Sequence, residues 1–219
     1  DDLNRLNDAR YYALSRGPVS KPYGETIAYD KNGNITSLAR FGFTGLDEYA
    51  QSMYDKIDDL VYKYAPHSNQ LQGVSDNGTP EGFNNGTTGT DDDYAYDLNG
   101  NMTHDLNKGI VKIDYNHLNL PESIYFSNNN AIEYRYDATG IKIEKRVYDN
   151  GNETVTQYDN TFIYKNSALE YFSHPEGYVK KENNVFSYIY QYKDHLGNVR
   201  LSYTDVNNNG VISNDEIVE

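Results

Sequence analysis

The sequence lacks cysteine and tryptophan and is poor in positive charge. Without cysteine, disulfide bonds and thiolate metal sites are excluded. Lys and Arg number 19 against 33 Asp and Glu, giving a net charge of −14. Phosphate backbones and anionic lipid repel such a chain, so we expect neither nucleic acid nor a membrane surface as a partner. No apolar run approaches the roughly 18 residues that a membrane span needs.

Tyrosine is abundant instead: the 219 residues include 23 tyrosines and 7 phenylalanines, although hydrophobic residues make up only 37%. Apolar content concentrated in aromatic residues favours half-buried strands over a helical core. The first residues, Asp1 to Arg5, resemble neither a signal peptide nor a natural start. We therefore expect an excised piece of a longer protein, folded as one domain over residues 1–219.

One unit recurs along the chain: Tyr-Asp, two residues, Gly, and often Asn followed by an aliphatic residue. Asp favours the first position of a type I turn and Gly the fourth, where a left-handed backbone matches the turn to strand twist. Alternating residues flank each unit, so the pattern predicts strand, tight turn, strand. The turns are Asp30/Gly33, Asp97/Gly100, Asp137/Gly140 and Asp194/Gly197, the last with Lys193 in place of the tyrosine.

Two stretches interrupt this pattern. Between about residues 44 and 59, apolar residues recur at helical spacing, which predicts a short helix: Leu46, Tyr49, Met53, Tyr54 and Ile57. Residues 76–93 are rich in Gly, Asn, Thr and Asp, which predicts a long exposed loop. Neither stretch has the composition of a domain boundary.

The Tyr-Asp units, together with the segment Lys193-Asp194-His195-Leu196-Gly197-Asn198-Val199-Arg200, resemble the rearrangement-hotspot (RHS)/YD-repeat family. The late segment is similar to the start of the RHS-associated core in the form common among Bacteroidetes. The resemblance covers nearly the whole chain. It implies a mainly β fold, in which antiparallel hairpins form a curved, spiral sheet. The self-cleaving end of that core is not matched, so no residue is assigned to self-proteolysis.

The function implied by this resemblance is structural rather than enzymatic. The chain would be a wall segment of a secreted or cell-surface shell that encloses or carries a C-terminal effector (toxin) domain. Its partners would be the rest of its own shell, the enclosed domain, and secretion machinery or a surface protein. One alternative is a surface adhesin that binds glycan or protein through its tyrosine rows or through the loop at 76–93. Another is a glycosidase-type enzyme.

The C-terminal segment fits the twelve-residue EF-hand calcium loop at every position. Oxygen ligands would come from six residues: Asp205, Asn207, Asn209, Val211 through its carbonyl, Ser213 and Glu216. Gly210 would allow the sharp bend. The segment before the loop predicts a strand rather than the usual helix, and two carboxylates predict weak Ca²⁺ affinity. A solvated Asn-rich turn is the alternative.

Other groupings of polar residues do not indicate a metal site or a catalytic site. The five histidines never pair at helical spacing, so a zinc hydrolase is not supported. His195 lies beside Asp194, but that aspartate already has a turn role. Adjacent carboxylates such as Asp58-Asp59 are expected by chance in so acidic a chain. We therefore expect no catalytic residues.

Overall fold

The computed structural model describes residues 1–11, 22–86, 92–207 and 209–218. The described chain consists of antiparallel β-strands and two short 3₁₀ helices, Leu106–Lys108 and Asn214–Glu216. The predicted mainly β, antiparallel class is confirmed. Neighbouring strands in each sheet are also neighbours in the sequence, so the strand-turn-strand unit is confirmed as well.

The strands form two open sheets. The first holds β1 (Asp8–Ala9), β2 (Glu25–Tyr29), β3 (Ile35–Leu46), β4 (Ser52–Tyr64) and β5 (Leu71–Asp76). The second holds β6 (Tyr94–Tyr96), β7 (Met102–Asp105), β8 (Ile110–Tyr115), β9 (Pro121–Phe126), β10 (Ala131–Tyr136), β11 (Lys142–Asp149), β12 (Asn152–Asp159), β13 (Phe162–Lys165), β14 (Ala168–His174), β15 (Gly177–Glu182), β16 (Val185–Lys193) and β17 (Val199–Tyr203).

Contacts within the chain divide it into two compact units. One contains Asp1–Ile113 with Phe126–Asn128, and the other contains Asp114–Tyr125 with Asn129–Glu219. The prediction of a single domain stays a prediction. Buried hydrophobic residues are few in the part of the chain that the structure describes, and each unit contributes two: Leu60 and Val74, then Val179 and Ile189. Strand pairing and turns therefore carry much of the order in these sheets.

Several of the turns that join the strands share one hydrogen-bond pattern, and we call the five-residue unit that makes it a corner. In the corner that begins at Asp97, the Asp97 N–H donates to the Asn101 carbonyl and the Gly100 N–H donates to the Asp97 carbonyl. One carboxylate oxygen of Asp97 accepts the N–H groups of Asn99 and Asn101, at 2.9 and 2.8 Å. A single aspartate thus fixes the whole turn.

This pattern occurs at seven places in the described residues. The four predicted turns at Asp30, Asp97, Asp137 and Asp194 are confirmed as corners. Three further corners begin at Asp1, Asp47 and Asn116. Their fourth residues are Asn4, Ala50 and Asn119 rather than glycine, and all three have a positive φ. The Asp-x-x-Gly pattern does not include these three corners, because asparagine, and here one alanine, also adopts the left-handed region.

The predicted helix over residues 44–59 is wrong. β3 runs to Leu46, the corner that begins at Asp47 follows, and β4 begins at Ser52. The apolar residues at helical spacing do not form a buried stripe, since Leu46 and Tyr49 are 57% and 73% exposed. A helix gains little without a buried face, whereas β3 and β4 pair along most of their length. Strand pairing and the Asp47 carboxylate therefore stabilise the β3–β4 hairpin more than a helix would be stabilised by these apolar residues.

A different turn joins several strands of the second unit. These two-residue turns begin with asparagine at positive φ: Asn150-Gly151, Asn166-Ser167 and Asn183-Asn184. Positive φ at both central residues is the geometry whose twist matches that of paired strands. The Asn-Gly pair at Asn150 is a sequence signal for such a hairpin, separate from the Tyr-Asp repeat.

Tyrosines just before several turns bond to a residue just after an earlier turn. The hydroxyl of Tyr136, just before the corner that begins at Asp137, donates to the Pro121 carbonyl at 2.8 Å. Pro121 lies just beyond the corner that begins at Asn116. The same 2.8 Å bond joins Tyr29 to Leu6, Tyr64 to Ile35 and Tyr96 to Leu71. We call these bonds tyrosine links, and they give a physical reason for tyrosine in the Tyr-Asp pair.

In the predicted loop over 76–93, Asp76 is the last residue of β5, residues 77–86, 92 and 93 contain neither strand nor helix, and residues 87–91 lie outside the described residues. It packs closely on β4 rather than extending freely. The Phe83 N–H donates to the carboxylate of Asp58, which is 1% exposed and also paired with Arg40. A Cβ on Gly82 would lie 1.9 Å from the Ile57 carbonyl oxygen. Glycine there permits this close packing.

Ala50 lies at the left-handed position of a corner, with φ of 58°. An L-residue pays about 1–2 kcal/mol in that region, part of which glycine's extra chain entropy offsets. We therefore expect Ala50→Gly to raise the free energy of unfolding by about 0.5–1 kcal/mol in urea denaturation. Ala28→Gly, an exposed alanine inside β2, is the matched control and should lower it. A destabilised Ala50→Gly would contradict the corner at Asp47.

The tyrosine links predict the effect of removing one hydroxyl. Tyr136→Phe should lower the free energy of unfolding by about 1 kcal/mol, because the Pro121 carbonyl loses its donor. Tyr192→Phe removes the same atom from a ring that is 67% exposed, and it should change stability little. Chemical denaturation of both variants measures the difference. Equal effects would show that the Tyr136 link contributes nothing to stability.

The corner carboxylates predict an acid-dependent loss of stability. The Asn101 side-chain amide, 2.9 Å from the Asp97 carboxylate, is the main cause that lowers the pKa of Asp97 below 3.8. A pKa lowered by folding stabilises the protein above the ordinary pKa, and this contribution is lost as the pH falls through the lowered value. We expect Asn101→Ala to raise the pKa of Asp97 in an NMR titration.

The corner at Asp137 is the internal control for this titration. The pKa of the Asp137 carboxyl is lowered mainly by the Thr139 hydroxyl, so Asn101→Ala should leave that pKa unchanged. Asp97→Asn keeps an oxygen acceptor, as in the corner at Asn116, but cannot titrate, and should weaken the acid dependence of stability. An unmoved Asp97 pKa in Asn101→Ala would mean that the amide is not the cause.

Candidate functional site

The candidate site is the C-terminal loop that follows β17, described over 205–207 and 209–216. The two ends of the loop lie side by side. The Thr204 N–H donates to the Glu216 carbonyl at 3.0 Å, and the Val218 N–H donates to the Ser202 carbonyl at 2.8 Å. A β-bridge between Tyr203 and Ile217 lies between these bonds. The chain thus returns antiparallel along β17, which holds the loop closed.

Side-chain oxygens in the first half of the loop accept backbone N–H groups of the loop itself. The two carboxylate oxygens of Asp205 accept from Asn209 and Gly210, at 3.1 and 2.9 Å. The Asn207 amide oxygen also accepts from the Asn209 N–H, at 3.0 Å, and the Asn209 amide oxygen accepts from the Val211 N–H, at 2.7 Å. These oxygens therefore face the loop backbone.

Glu216 joins the two halves of the loop. Its side chain is nearly buried, with the residue 3% exposed. One carboxylate oxygen accepts the Val206 N–H at 2.9 Å, and the other accepts the N–H and the hydroxyl of Ser213 at 3.0 and 2.9 Å. These hydrogen bonds, first of all the one from the Ser213 backbone, lower the pKa of Glu216. Glu216 is thus held as a carboxylate.

The structure brings five of the six predicted ligand residues into this one hydrogen-bonded loop: Asp205, Asn207, Asn209, Ser213 and Glu216. Val211 would contribute its carbonyl, and its side chain is exposed. A strand enters the loop, as predicted, and the capping box of Ser213 and Glu216 begins the 3₁₀ helix at its end. Every candidate ligand atom is an oxygen, which is the ligand type that Ca²⁺ prefers, so the residues fit this ion.

The candidate calcium ligands nevertheless carry little negative charge. Within the residues that the structure describes, no group of three or more His, Asp or Glu side chains is placed to hold a metal ion. Coordination in the loop would therefore depend on amide, hydroxyl and carbonyl oxygens beside the carboxylates of Asp205 and Glu216. Calcium binding stays a prediction.

Asp194 has the turn role that the sequence predicts. Its carboxylate accepts the N–H groups of Leu196 and Asn198, both at 2.9 Å, and forms an ion pair with Arg200 at 2.6 Å. The Asn198 side-chain amide is the main cause that lowers the pKa of Asp194. His195 is exposed in the same turn. With its oxygens occupied by these donors, Asp194 is poorly suited to act as a base toward His195.

Glu144 is the most buried carboxylate within a strand of the second unit, with the residue 8% exposed. Arg146 donates to it at 2.8 Å, Gln157 donates at 3.3 Å, and Arg135 lies nearby. The Arg146 hydrogen bond is the main cause that lowers the pKa of Glu144. A catalytic general acid needs the opposite, a raised pKa. This cluster therefore serves to pair neighbouring strands.

Aromatic residues also line one side of β16. Phe186, Tyr188, Tyr190 and Tyr192 are two residues apart, so they share a face. Phe186, Tyr188 and Tyr192 are between 50% and 67% exposed, whereas Tyr190 stacks on Tyr203 with ring centroids 5.7 Å apart. We call these four residues the β16 aromatic row. It is an exposed tyrosine row of the kind on which the adhesin alternative depends.

In the described parts of the chain, no helix is long and apolar enough to cross a membrane.

No protein-family model matches the chain, and no curated protein matches it. Solved structures with a similar arrangement are crystal structures of TcdB2-TccC3. The form without its hypervariable C-terminal region has a TM-score of 0.46 at 12% identity, and the form with Cdc42 has 0.45 at 14%. Both alignments cover 93% of this chain and 12% of the other. The chain thus spans about an eighth of their length, and likeness at this level carries no argument about its function.

Proposed function

We propose that this chain is a structural wall segment of an RHS/YD-repeat shell, belonging to a secreted or cell-surface protein. The observation that carries the proposal is the series of corners joined by tyrosine links. Each link reaches back to the residue that follows an earlier turn, so tyrosines tie one strand-turn-strand unit to another. Such a design produces extended sheet, and the repeated residues of the chain are used in building it.

The exposed apolar residues support a role inside a larger assembly. In the second unit, several large hydrophobic side chains on strands and turns are at least 40% exposed: Ile141, Ile143, Phe162, Val185, Phe186, Tyr188, Tyr192, Leu196 and Val199. Exposed apolar residues that share one face, as Phe186, Tyr188 and Tyr192 do on β16, mark an interaction site. We propose that the rest of the shell and an enclosed C-terminal effector domain are the partners that cover it.

The test uses the natural polypeptide that carries this segment. If the segment is shell wall, limited proteolysis should leave an enclosed effector intact, and the double substitution of Gly100 and Gly197 by Val should expose it. Both glycines have positive φ and open space around a Cβ, so the strain of about 1–3 kcal/mol at each arises from the backbone alone. Ala28→Val, inside strand β2, is the matched control and should leave protection unchanged.

Two results would contradict this role. One is an effector equally sensitive to protease in the parent protein and in the corner variant. The other is a natural polypeptide in which nothing is enclosed and this segment binds a ligand instead. The β16 aromatic row favours the second candidate function, a glycan-binding or protein-binding adhesin. Saturable binding on a glycan array, lost in Tyr188→Ala and Tyr192→Ala, would support that candidate.

We further propose that the C-terminal loop binds Ca²⁺ weakly. Asp205, Asn207, Asn209, Ser213 and Glu216 would hold the ion through side-chain oxygens, and Val211 through its carbonyl. The bound ion would neutralise the two carboxylates and strengthen the closure of the loop on β17. Loops of this charge bind in the range of about 10⁻⁴–10⁻³ M that extracellular modules use.

Millimolar calcium should therefore raise the melting temperature of the chain, since a ligand that binds the folded state stabilises it. Asp205→Ala should abolish the rise. Asp2→Ala removes the same charge in the first unit and should preserve the rise, while Mg²⁺, which demands a stricter octahedral geometry, should have a smaller effect. No calcium-dependent shift in the parent chain would refute the site.

A further inference from the structure

The chain contains six Asn-Gly steps, which are the places most open to one spontaneous reaction. The glycine backbone nitrogen attacks the side-chain amide carbon of the preceding asparagine, ammonia leaves, and a cyclic imide forms. Water then opens the imide to aspartate or isoaspartate, so no oxidant or reductant is needed. The steps are Asn32-Gly33, Asn77-Gly78, Asn85-Gly86, Asn99-Gly100, Asn150-Gly151 and Asn209-Gly210.

In five of these steps, the glycine N–H is already a hydrogen-bond donor. In the corners, Gly33 and Gly100 donate to the carbonyls of Asp30 and Asp97, at 3.2 and 3.1 Å. The other three donate to side-chain oxygens at 2.7–3.0 Å: Gly78 to Asp76, Gly86 to Asn84 and Gly210 to Asp205. Attack requires the nitrogen to lose its proton and turn toward its own asparagine, which breaks this bond. The fold therefore opposes the reaction at these five steps.

The sixth step is different. Asn150 and Gly151 are the two central residues of the turn between β11 and β12, which Asp149 and Asn152 close. A two-residue turn leaves the N–H of its second residue outside the strand ladder. Among the residues that the structure describes, none accepts the Gly151 N–H, whereas the Asn150 N–H donates to the Asn130 side chain at 3.0 Å.

Access at this turn is also unrestricted. Asn150 and Gly151 are both exposed, and a Cβ placed on Gly151 would have no atom within 4 Å. The imide ring therefore has space to form. We propose that Asn150 is a site of spontaneous deamidation, and that the hydrogen bonds donated by the other five glycines protect the asparagines before them.

The product would disturb the hairpin. The Asp149 carboxylate accepts the side-chain amides of Asn150 and Asn130, at 3.0 and 2.6 Å. Deamidation replaces the Asn150 donor by a second carboxylate beside Asp149, and like charges repel. The isoaspartate product also inserts an extra carbon into the backbone of a two-residue turn. Pairing of Asp149 with Asn152 next to the turn depends on its length, so β11 and β12 should separate there first.

Peptide mapping by mass spectrometry tests the proposal on the intact folded chain. After incubation in mildly alkaline buffer, the conversion of amide to acid should accumulate at Asn150 several-fold faster than at the other five asparagines. An isoaspartyl methyltransferase with labelled methyl donor should label the same peptide. Gly151→Ala should slow the reaction, because a side chain there hinders the attack. In denaturant the six rates should converge, since no fold then protects any step.

The outcomes are decisive in both directions. Preferential loss of the Asn150 amide in the folded chain, with convergence on unfolding, supports the proposal. Comparable rates at Asn150 and Asn99 in the folded chain, or no reaction at Asn150, would overturn it. Asn150→Asp, prepared as a homogeneous variant, should have a lower free energy of unfolding than the parent chain. An unchanged stability would refute the stated effect on the hairpin.

Discussion

The interaction on which the sheets depend is the acceptance of two backbone N–H groups by one side-chain oxygen. The oxygen belongs to the first residue of each corner, and the two donors lie two and four residues further along. Together with two backbone hydrogen bonds, this contact fixes five residues in one conformation. Because the turn carries its own hydrogen bonds, it needs no hydrophobic core behind it. Strands can therefore follow one another with few buried side chains.

The linked tyrosines have a complementary role. A corner fixes the chain locally, whereas the tyrosine hydroxyl reaches a carbonyl in an earlier unit. Burial is the main cause that raises the pKa of Tyr64, Tyr96 and Tyr136, so the hydroxyls remain protonated donors at neutral pH. The aspartate thus sets the turn, and the tyrosine sets how successive turns lie beside one another.

The fold class and four corners followed from the sequence because their cause is local. Asp and Gly at fixed spacing determine a turn whatever surrounds it. The corner at Asp47 was missed, and a helix was predicted instead, because Ala50 gives no sign that its φ is positive. The tyrosine links could not be predicted, since residues such as Tyr64 and Ile35 lie far apart in the sequence. Residue spacing also gives no indication that Phe83 packs on Asp58.

The C-terminal loop also combines local features that the sequence predicts with long-range contacts that it does not. The twelve-residue pattern correctly indicated that its oxygens would gather in one loop, because each side chain bonds to a nearby backbone N–H. The return of Ile217 and Val218 along β17 depends on strand pairing that no motif describes. Whether Ca²⁺ binds depends on a small difference between the free energy of hydrating the ion and that of coordinating it. The spacing of the ligand residues does not determine this difference.

The tyrosine links have a consequence for how such a protein can grow. The link from Tyr136 spans 15 residues and that from Tyr64 spans 29, yet both bonds measure 2.8 Å. The peptide between two linked units can therefore lengthen without altering their junction. Each of these links joins nearby units, so stability should accumulate unit by unit as in a one-dimensional lattice. Duplication of a unit during evolution would extend the array without redesigning what already exists.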